Sequence, residues 1–196
     1  MLIFWEQRLV FLATPKAGSS AVEAALEPLA SVAIQRPAPL KHMNAQDFRA
    51  HLLPYLEAQT GAPFETVALM REPVGWLRSW YRFRLRDDFD DPNHPMRGRS
   101  FEDFARDYMQ DPRPAHADIG SQSAILADPE GHPLVDRLFR YEAIDSFVHF
   151  LEDRLDCAIT LPRVNVPPAV DVQLSDATAA ELQQAMARDF ALYRSL

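Results

Sequence analysis

The stretch Leu9–Val10–Phe11–Leu12–Ala13–Thr14–Pro15–Lys16–Ala17–Gly18–Ser19–Ser20–Ala21–Val22–Glu23–Ala24–Ala25 organises the chain. Leu9 to Ala13 is continuously apolar and of strand length, the pattern of a buried strand. Thr14 to Ser20 is a tight loop holding Lys16, Gly18 and the hydroxyls of Ser19 and Ser20. Ala21 to Leu29 follows directly and is rich in helix formers. The order is strand, loop, helix N-terminus. A helix start offers unpaired N–H groups and the positive end of the helix dipole, so it attracts anions. Lys16 adds a full charge, and Ser19 and Ser20 add donors. Gly18 lets the backbone approach a ligand with no Cβ in the way. The segment reads as an oxyanion cradle for a phosphate or sulfate ester. It is not a Walker A loop, which places its lysine after the second glycine. An ordinary strand-to-helix turn shares these ingredients, so a second motif has to support the first.

The chain has 196 residues, enough for a single domain, 1–196, with a real core. Its formal net charge of −8 argues against a nonspecific nucleic-acid binder, which is ordinarily basic. An acidic protein can still concentrate cations in one pocket. The one cysteine, Cys157, excludes a disulfide framework and a cysteine-based metal site within one chain. In the run Leu155 to Ile159 it reads as a buried structural thiol. No spacing among histidines and carboxylates suggests a metal site. Met1 to Arg8 is only briefly apolar and lacks a charged leader, so neither a signal peptide nor a membrane span is expected there; a short strand and turn feeding the Leu9 strand is the simpler reading. A cytoplasmic location is the default expectation.

Further along, Ser31 to Ile34 is strand-like and leads into a proline loop, Gln35 to His42. Asn44 is placed to cap a helix running to about Gln59, with Phe48, Leu52, Tyr55 and Leu56 on one face. Thr66 to Met70 is a second buried strand. It runs into Arg71–Glu72–Pro73, and Pro73 suits the first turn of a helix reaching about Leu85. Asp87 to Arg99 reads as a mobile charged loop. Ser100 and Asp103 form a capping-box pattern. A short helix is expected within Ile119 to Ala127, and a strand over Leu138 to Tyr141. Helices are expected from Ala143 to Leu155 and from Ser175 to about Tyr193. Strands alternating with helices imply an α/β fold, with a parallel sheet covered on both faces. Ligands of such sheets sit beyond the carboxyl ends of the strands, where the Lys16 and Arg71 turns both lie.

The second motif is that Arg71 turn. Arg71 ends a buried strand, and Ser79 comes eight residues later, about two helical turns away. A guanidinium fork and a hydroxyl there would jointly grip a terminal phosphate. A structural ion pair between Arg71 and a neighbouring carboxylate, such as Glu72, is the simpler alternative. Arg78, Arg82 and Arg86 recur every four residues, which suits either an anion-steering stripe or a solvated face paired with Asp87 and Asp88. Trp76, Trp80 and Phe83 read as core. Gln122 reads as either an acceptor contact or a plain helix-start residue.

Together the two motifs resemble the sulfotransferase superfamily, closest to its short bacterial members. These enzymes use 3′-phosphoadenosine-5′-phosphosulfate (PAPS) as donor. The Lys16 loop is similar to that family's 5′-phosphosulfate loop, and Arg71 to Ser79 to its 3′-phosphate motif. Arg140–Tyr141–Glu142 and Leu161–Pro162–Arg163–Val164–Asn165 come next, in the family's order. The likeness covers most of the chain and is weakest from Asp87 to Gly131.

The resemblance implies a P-loop-like three-layer fold with a central, mainly parallel β-sheet flanked by helices. It implies sulfuryl transfer from PAPS to a hydroxyl or amine of a small-molecule or carbohydrate acceptor, with 3′-phosphoadenosine-5′-phosphate (PAP) as product and no metal. By position, Lys16 would contact the bridging oxygen and sulfonate. Ala17, Gly18, Ser19 and Ser20 would hold the 5′-phosphate, Arg71 and Ser79 the 3′-phosphate, and Arg163 would close over the nucleotide. His42 would be the catalytic base, a role its near-neutral pKa suits; His116, near Asp118, is the second choice. A small-molecule kinase with a modified P-loop and a non-catalytic nucleotide-binding protein are the alternatives.

Overall fold

The computed structural model describes residues 1–86, 93–162 and 170–196. Five strands form one mixed sheet: β1 (Leu2–Phe4), β2 (Leu9–Leu12), β3 (Val32–Ala33), β4 (Glu65–Met70) and β5 (Arg137–Arg140). Their spatial order is β3-β1-β2-β4-β5. The β2–β4 and β4–β5 pairs are parallel, whereas β1 pairs antiparallel with both β2 and β3. The expected parallel sheet is therefore only partly parallel. The reason is local: Trp5 to Arg8 is a turn too short for a crossover, so β1 and β2 can only close as a hairpin. Arg8 takes a left-handed backbone, φ 49°, to make that turn.

The helices are α1 (Ser19–Leu26), α2 (Ala38–Lys41), α3 (Ala45–Asp47), α4 (Leu53–Thr60), α5 (Pro73–Arg84), α6 (Phe101–Met109), α7 (Gln122–Leu126), α8 (Ile144–Leu155), α9 (Asp176–Ala185) and α10 (Ala187–Arg194). Alternate strand residues serve opposite faces of the sheet. Leu2, Phe4, Leu9, Phe11, Val67 and Leu69 pack with α1 and α8. Ile3, Val10, Leu12, Ala68 and Met70 pack with Phe48, Leu56 and Leu192 on the other face. A third apolar cluster joins α5, α6 and α9 through Trp76, Phe104 and Leu182.

The expected caps are present. Asn44 accepts from the Asp47 N–H at 2.7 Å, and Ser100 and Asp103 form a reciprocal capping box. Ser175 caps α9, and Pro73 opens α5. Other details differ. Phe48–Leu52 is π-helical, which widens the turn and rotates the register of α4 after it. Phe48 and Leu56 stay buried, but Tyr55 turns outward and is 60% exposed. The single expected last helix breaks at Met186 into α9 and α10. Cys157 is a free thiol, half-buried rather than buried, because α8 ends at Asp156 with φ 49° and the chain turns off the core. The expected Asp87–Arg99 loop lies partly outside the described residues. Among the described residues no helix is long and apolar enough to cross a membrane.

Candidate functional site

The Lys16 and Arg71 turns come after β2 and β4, which are adjacent and parallel, so both turns emerge at the same sheet edge. They are joined directly. Arg71 Nη1 donates to the Lys16 carbonyl at 3.3 Å, and Trp76 Nε1 donates to the Pro15 carbonyl at 2.9 Å. Trp76 is core, as expected, and its indole N–H also pins the lysine loop. The β4–β5 register pairs Met70 with Arg140. One residue beyond that pair, the Arg71 guanidinium lies over the Tyr141 ring, 4.8 Å from its centroid.

Gly18 precedes α1 with φ 83°. A Cβ there would lie 2.8 Å from Tyr141 Cε2, so a side chain is barred by conformation and by space. Ala17 and Ser19 are buried and Ser20 is half-buried. The α1 start carries no side-chain cap and no acidic residue in its first turn. Its N-terminal field is therefore not neutralised from within the helix. Lys16 itself takes φ 62°, a costly conformation for a side-chain-bearing residue. Its ammonium sits 3.1 Å from the Phe83 ring centroid and 4.9 Å from that of Trp80. Phe83, expected in the core, is 38% exposed and forms part of this surface.

Arg71 and Glu72 do not form the simple ion pair that their adjacency suggests. The Glu72 carboxylate caps α5, accepting from Val74 N–H at 3.1 Å and Gly75 N–H at 2.6 Å. The Arg71 backbone is held by Gln122, whose Oε1 accepts from Arg71 N–H and whose Nε2 donates to the Arg71 carbonyl, each at 2.8 Å. Gln122 is 0% exposed, so it is neither an acceptor contact nor a plain helix-start residue. Asp189 in turn accepts from the Gln122 and Ser123 backbone N–H groups at 3.2 and 2.8 Å. Nothing in the local sequence marks Gln122 for this task, because its partner lies 51 residues away. Tyr141 stands in the sequence only as part of the Arg140–Tyr141–Glu142 segment; nothing local marks it as the ring that packs on Gly18.

Burial pulls the Arg71 guanidinium below its ordinary value; nearby Tyr141 and Glu142 oppose this and Arg82 adds to it. Its Nε is buried with no hydrogen-bond partner. A desolvated guanidinium with an unused donor favours an anionic ligand. Ser79 is half-buried on α5. Arg163 and Asn165 lie outside the described residues.

His42 comes directly after α2 and is held against the root of the lysine loop. Its Nδ1 is 2.6 Å from the Ala13 carbonyl. A carbonyl only accepts, so Nδ1 carries the proton and Nε2 keeps the lone pair. Next to it, Lys41 Nζ pairs with Glu23 Oε2 of α1 at 2.6 Å, and Glu23 is only 5% exposed. The segment is thus tied to α1 and β2. Burial lowers the His42 pKa below its ordinary 6.5, with smaller opposing and reinforcing effects from the Ala13 carbonyl and Lys41. The ring is neutral at pH 7 and able to accept a proton.

His116 belongs to a different cluster. Its Nε2 is 2.8 Å from Asp107 Oδ2, which also receives Arg99 Nη1 at 2.6 Å. Two depressions of about 390 and 450 Å³ are lined by other residues, such as Gln183 and Phe190 in one and Phe64 and Arg154 in the other. Their linings carry neither Lys16 nor Arg71. Among the described residues, no group of three or more His, Cys, Asp or Glu side chains is placed to hold a metal ion. No protein-family profile, curated protein or solved structure matches the chain.

Proposed function

We propose that the chain is a sulfotransferase that moves a sulfuryl group from PAPS to a hydroxyl or amine, on a P-loop-like three-layer version of the α/β fold. The observation that carries this reading is the Arg71 Nη1 to Lys16 carbonyl bond at 3.3 Å, which joins an uncapped helix start to a half-buried arginine. A ligand spanning the two turns meets cationic donors at both ends. A nucleotide with separate 5′ and 3′ anionic groups has that shape.

In this reading the acceptor O–H or N–H gives its proton to His42 Nε2. The acceptor atom bonds to sulfur in line as the bond from sulfur to the bridging phosphate oxygen breaks. The electron pair of that bond stays on the phosphate oxygen, where Lys16 and the α1 N–H groups share the charge. Catalysis is then positioning plus electrostatics. Lys16 would exchange the Phe83 face for the anion, a transfer from a cation–π contact to a full ion pair.

Calorimetry tests the donor assignment: PAP should bind without Mg²⁺ and ADP should bind weakly with or without it. ADP binding that requires Mg²⁺, with none for PAP, would favour a modified-P-loop kinase. Labelled PAPS incubated with cell extract, with mass identification of the product, tests transfer. An intact PAP site with no sulfated product would favour a nucleotide-binding protein without chemistry.

A further inference from the structure

His42 is held by polar contacts more than by packing. Residues 36–40, which lead to it, are exposed, and α2 buries none of its four residues. Apolar anchoring resumes at Met43 and Ala45, in the cluster that holds Phe48. Two contacts fix the segment before that point. His42 Nδ1 meets the Ala13 carbonyl at 2.6 Å, and Lys41 Nζ meets Glu23 Oε2 at 2.6 Å. Both partners belong to the unit that carries the lysine loop. Ala13 comes three residues before Lys16, and Glu23 seven residues after it.

Glu23 is a carboxylate on the buried face of α1, which it shares with Val22 and Leu26. A buried carboxylate costs stability unless cations meet it. The Met1 ammonium takes Glu23 Oε1 at 3.2 Å, and Lys41 takes Oε2. An apolar residue would fill the same face at lower cost, so stability does not account for this pair. What a buried ion pair adds over apolar packing is a fixed direction and distance. Here that register runs from α1 to the residue next to His42.

We infer that Glu23 is a positioning residue for the base: through Lys41 it holds His42 on the Ala13 carbonyl, with Nε2 free, at a set distance from the lysine loop. This rests on the sulfotransferase reading for what His42 does. The charged groups facing His42 are Glu23 from α1, Lys41 from α2 and the Met1 ammonium ahead of β1. Burial lowers the ring's pKa most, the two cations lower it further, and Glu23 raises it. Charge and position therefore differ in sign. If the pair acted by charge alone, Glu23→Gln would lower the ring's pKa further and Lys41→Met would raise it. Acting by position, either change releases the ring from burial, and both raise its pKa toward 6.5.

The test is NMR titration of the His42 ring in the full chain, assigned with His42→Gln. It covers wild type, Glu23→Gln, Lys41→Met and the double variant, alongside label transfer from PAPS in cell extract and calorimetry with PAP. In wild type the ring should titrate below 6.5 and carry its neutral-state proton on Nδ1. Both single changes should raise that pKa and spread the proton over both nitrogens. Transfer should fall about ten- to hundredfold, the scale of a displacement of up to about 1 Å. PAP affinity should stay within about threefold of wild type, because the lost contact serves the base and not the nucleotide. The double variant should be no worse than either single change, the mark of two groups acting as one. If wild type transfers no label, the sulfotransferase reading and the inference fall together. If wild type transfers, and Glu23→Gln lowers the ring's pKa or leaves ring and rate unchanged, only the inference falls. A loss of PAP binding as large as the loss of transfer would make Glu23 a support of α1 alone, and also overturns it. If thermal melts show Glu23→Gln unfolded, the double variant decides: a raised ring pKa supports positioning, and a wild-type value overturns it.

Discussion

The two strand-to-helix turns at the sheet edge use the same parts for opposite ends. After β4, Glu72 folds back onto the start of α5 and occupies the Val74 and Gly75 N–H groups, so that helix end is satisfied from within. After β2, α1 begins with no side-chain cap and no acid in its first turn. The first turn leaves its helix start available to an external anion, and the second offers an anion a side chain, Arg71. An acid one residue past the arginine makes the difference. It neutralises the helix field that the lysine turn leaves open.

The largest expected effect is at Lys16. If the lysine turn carries the charge that develops during transfer, Lys16→Ala should lower turnover by about 10²–10³ in a PAPS-dependent assay, the usual cost of one transition-state donor. Arg71→Ala should act mainly on PAP affinity. Equal effects of the two changes on turnover and affinity would erase the contrast between the turns.

Next is Gly18. Gly18→Ala places a Cβ 2.8 Å from Tyr141 Cε2 and forces a φ of 83° on an L-residue. It should destabilise the fold by about 2 kcal/mol or more, read from thermal or denaturant melts. Adding Tyr141→Ala should recover part of that loss. No recovery would mean the clash is not what holds the loop in place.

Glu72→Ala is the sharper probe of the capped turn. Losing an N-cap typically costs about 1 kcal/mol, so the melting temperature should fall modestly. If α5 has no anion role at its N-terminus, PAP affinity should stay close to wild type in the same variant. A strong loss of PAP binding would place the nucleotide on both helix ends.

The smallest expected effect on stability is the pH response of His42. Its folded pKa lies below 6.5, so the unfolded chain takes up the proton first as pH falls. The contribution is fully present above 6.5 and is lost below it as pH falls toward the folded pKa. The transfer rate should decline on the same acid limb, because a protonated Nε2 accepts nothing. His42→Gln should flatten both responses, and an unchanged rate profile would remove His42 as the base.

Much of the chain was legible from local chemistry. Asn44, Ser100 and Ser175 cap the helices they precede, because a side-chain acceptor three residues upstream needs no distant partner. The β2 and β4 strands and the Lys16 and Arg71 turns are read from short apolar runs ending in polar residues. The outward Tyr55 and the task of Gln122 were not legible in the same way. One depends on a rotated helical register and the other on a partner 51 residues away.

By itself the sequence determined that an apolar strand ends in Lys16 and Gly18 before a helix, and that a second ends in Arg71 eight residues ahead of Ser79. Tertiary structure decided that the two ends touch, that Tyr141 fills the space Gly18 leaves, and that His42 rests on the Ala13 carbonyl. The physical reason is range. Propensity, capping and strand burial act within a few residues, whereas the proposed anion site is assembled by sheet pairing and by a buried amide 51 residues from the arginine it holds.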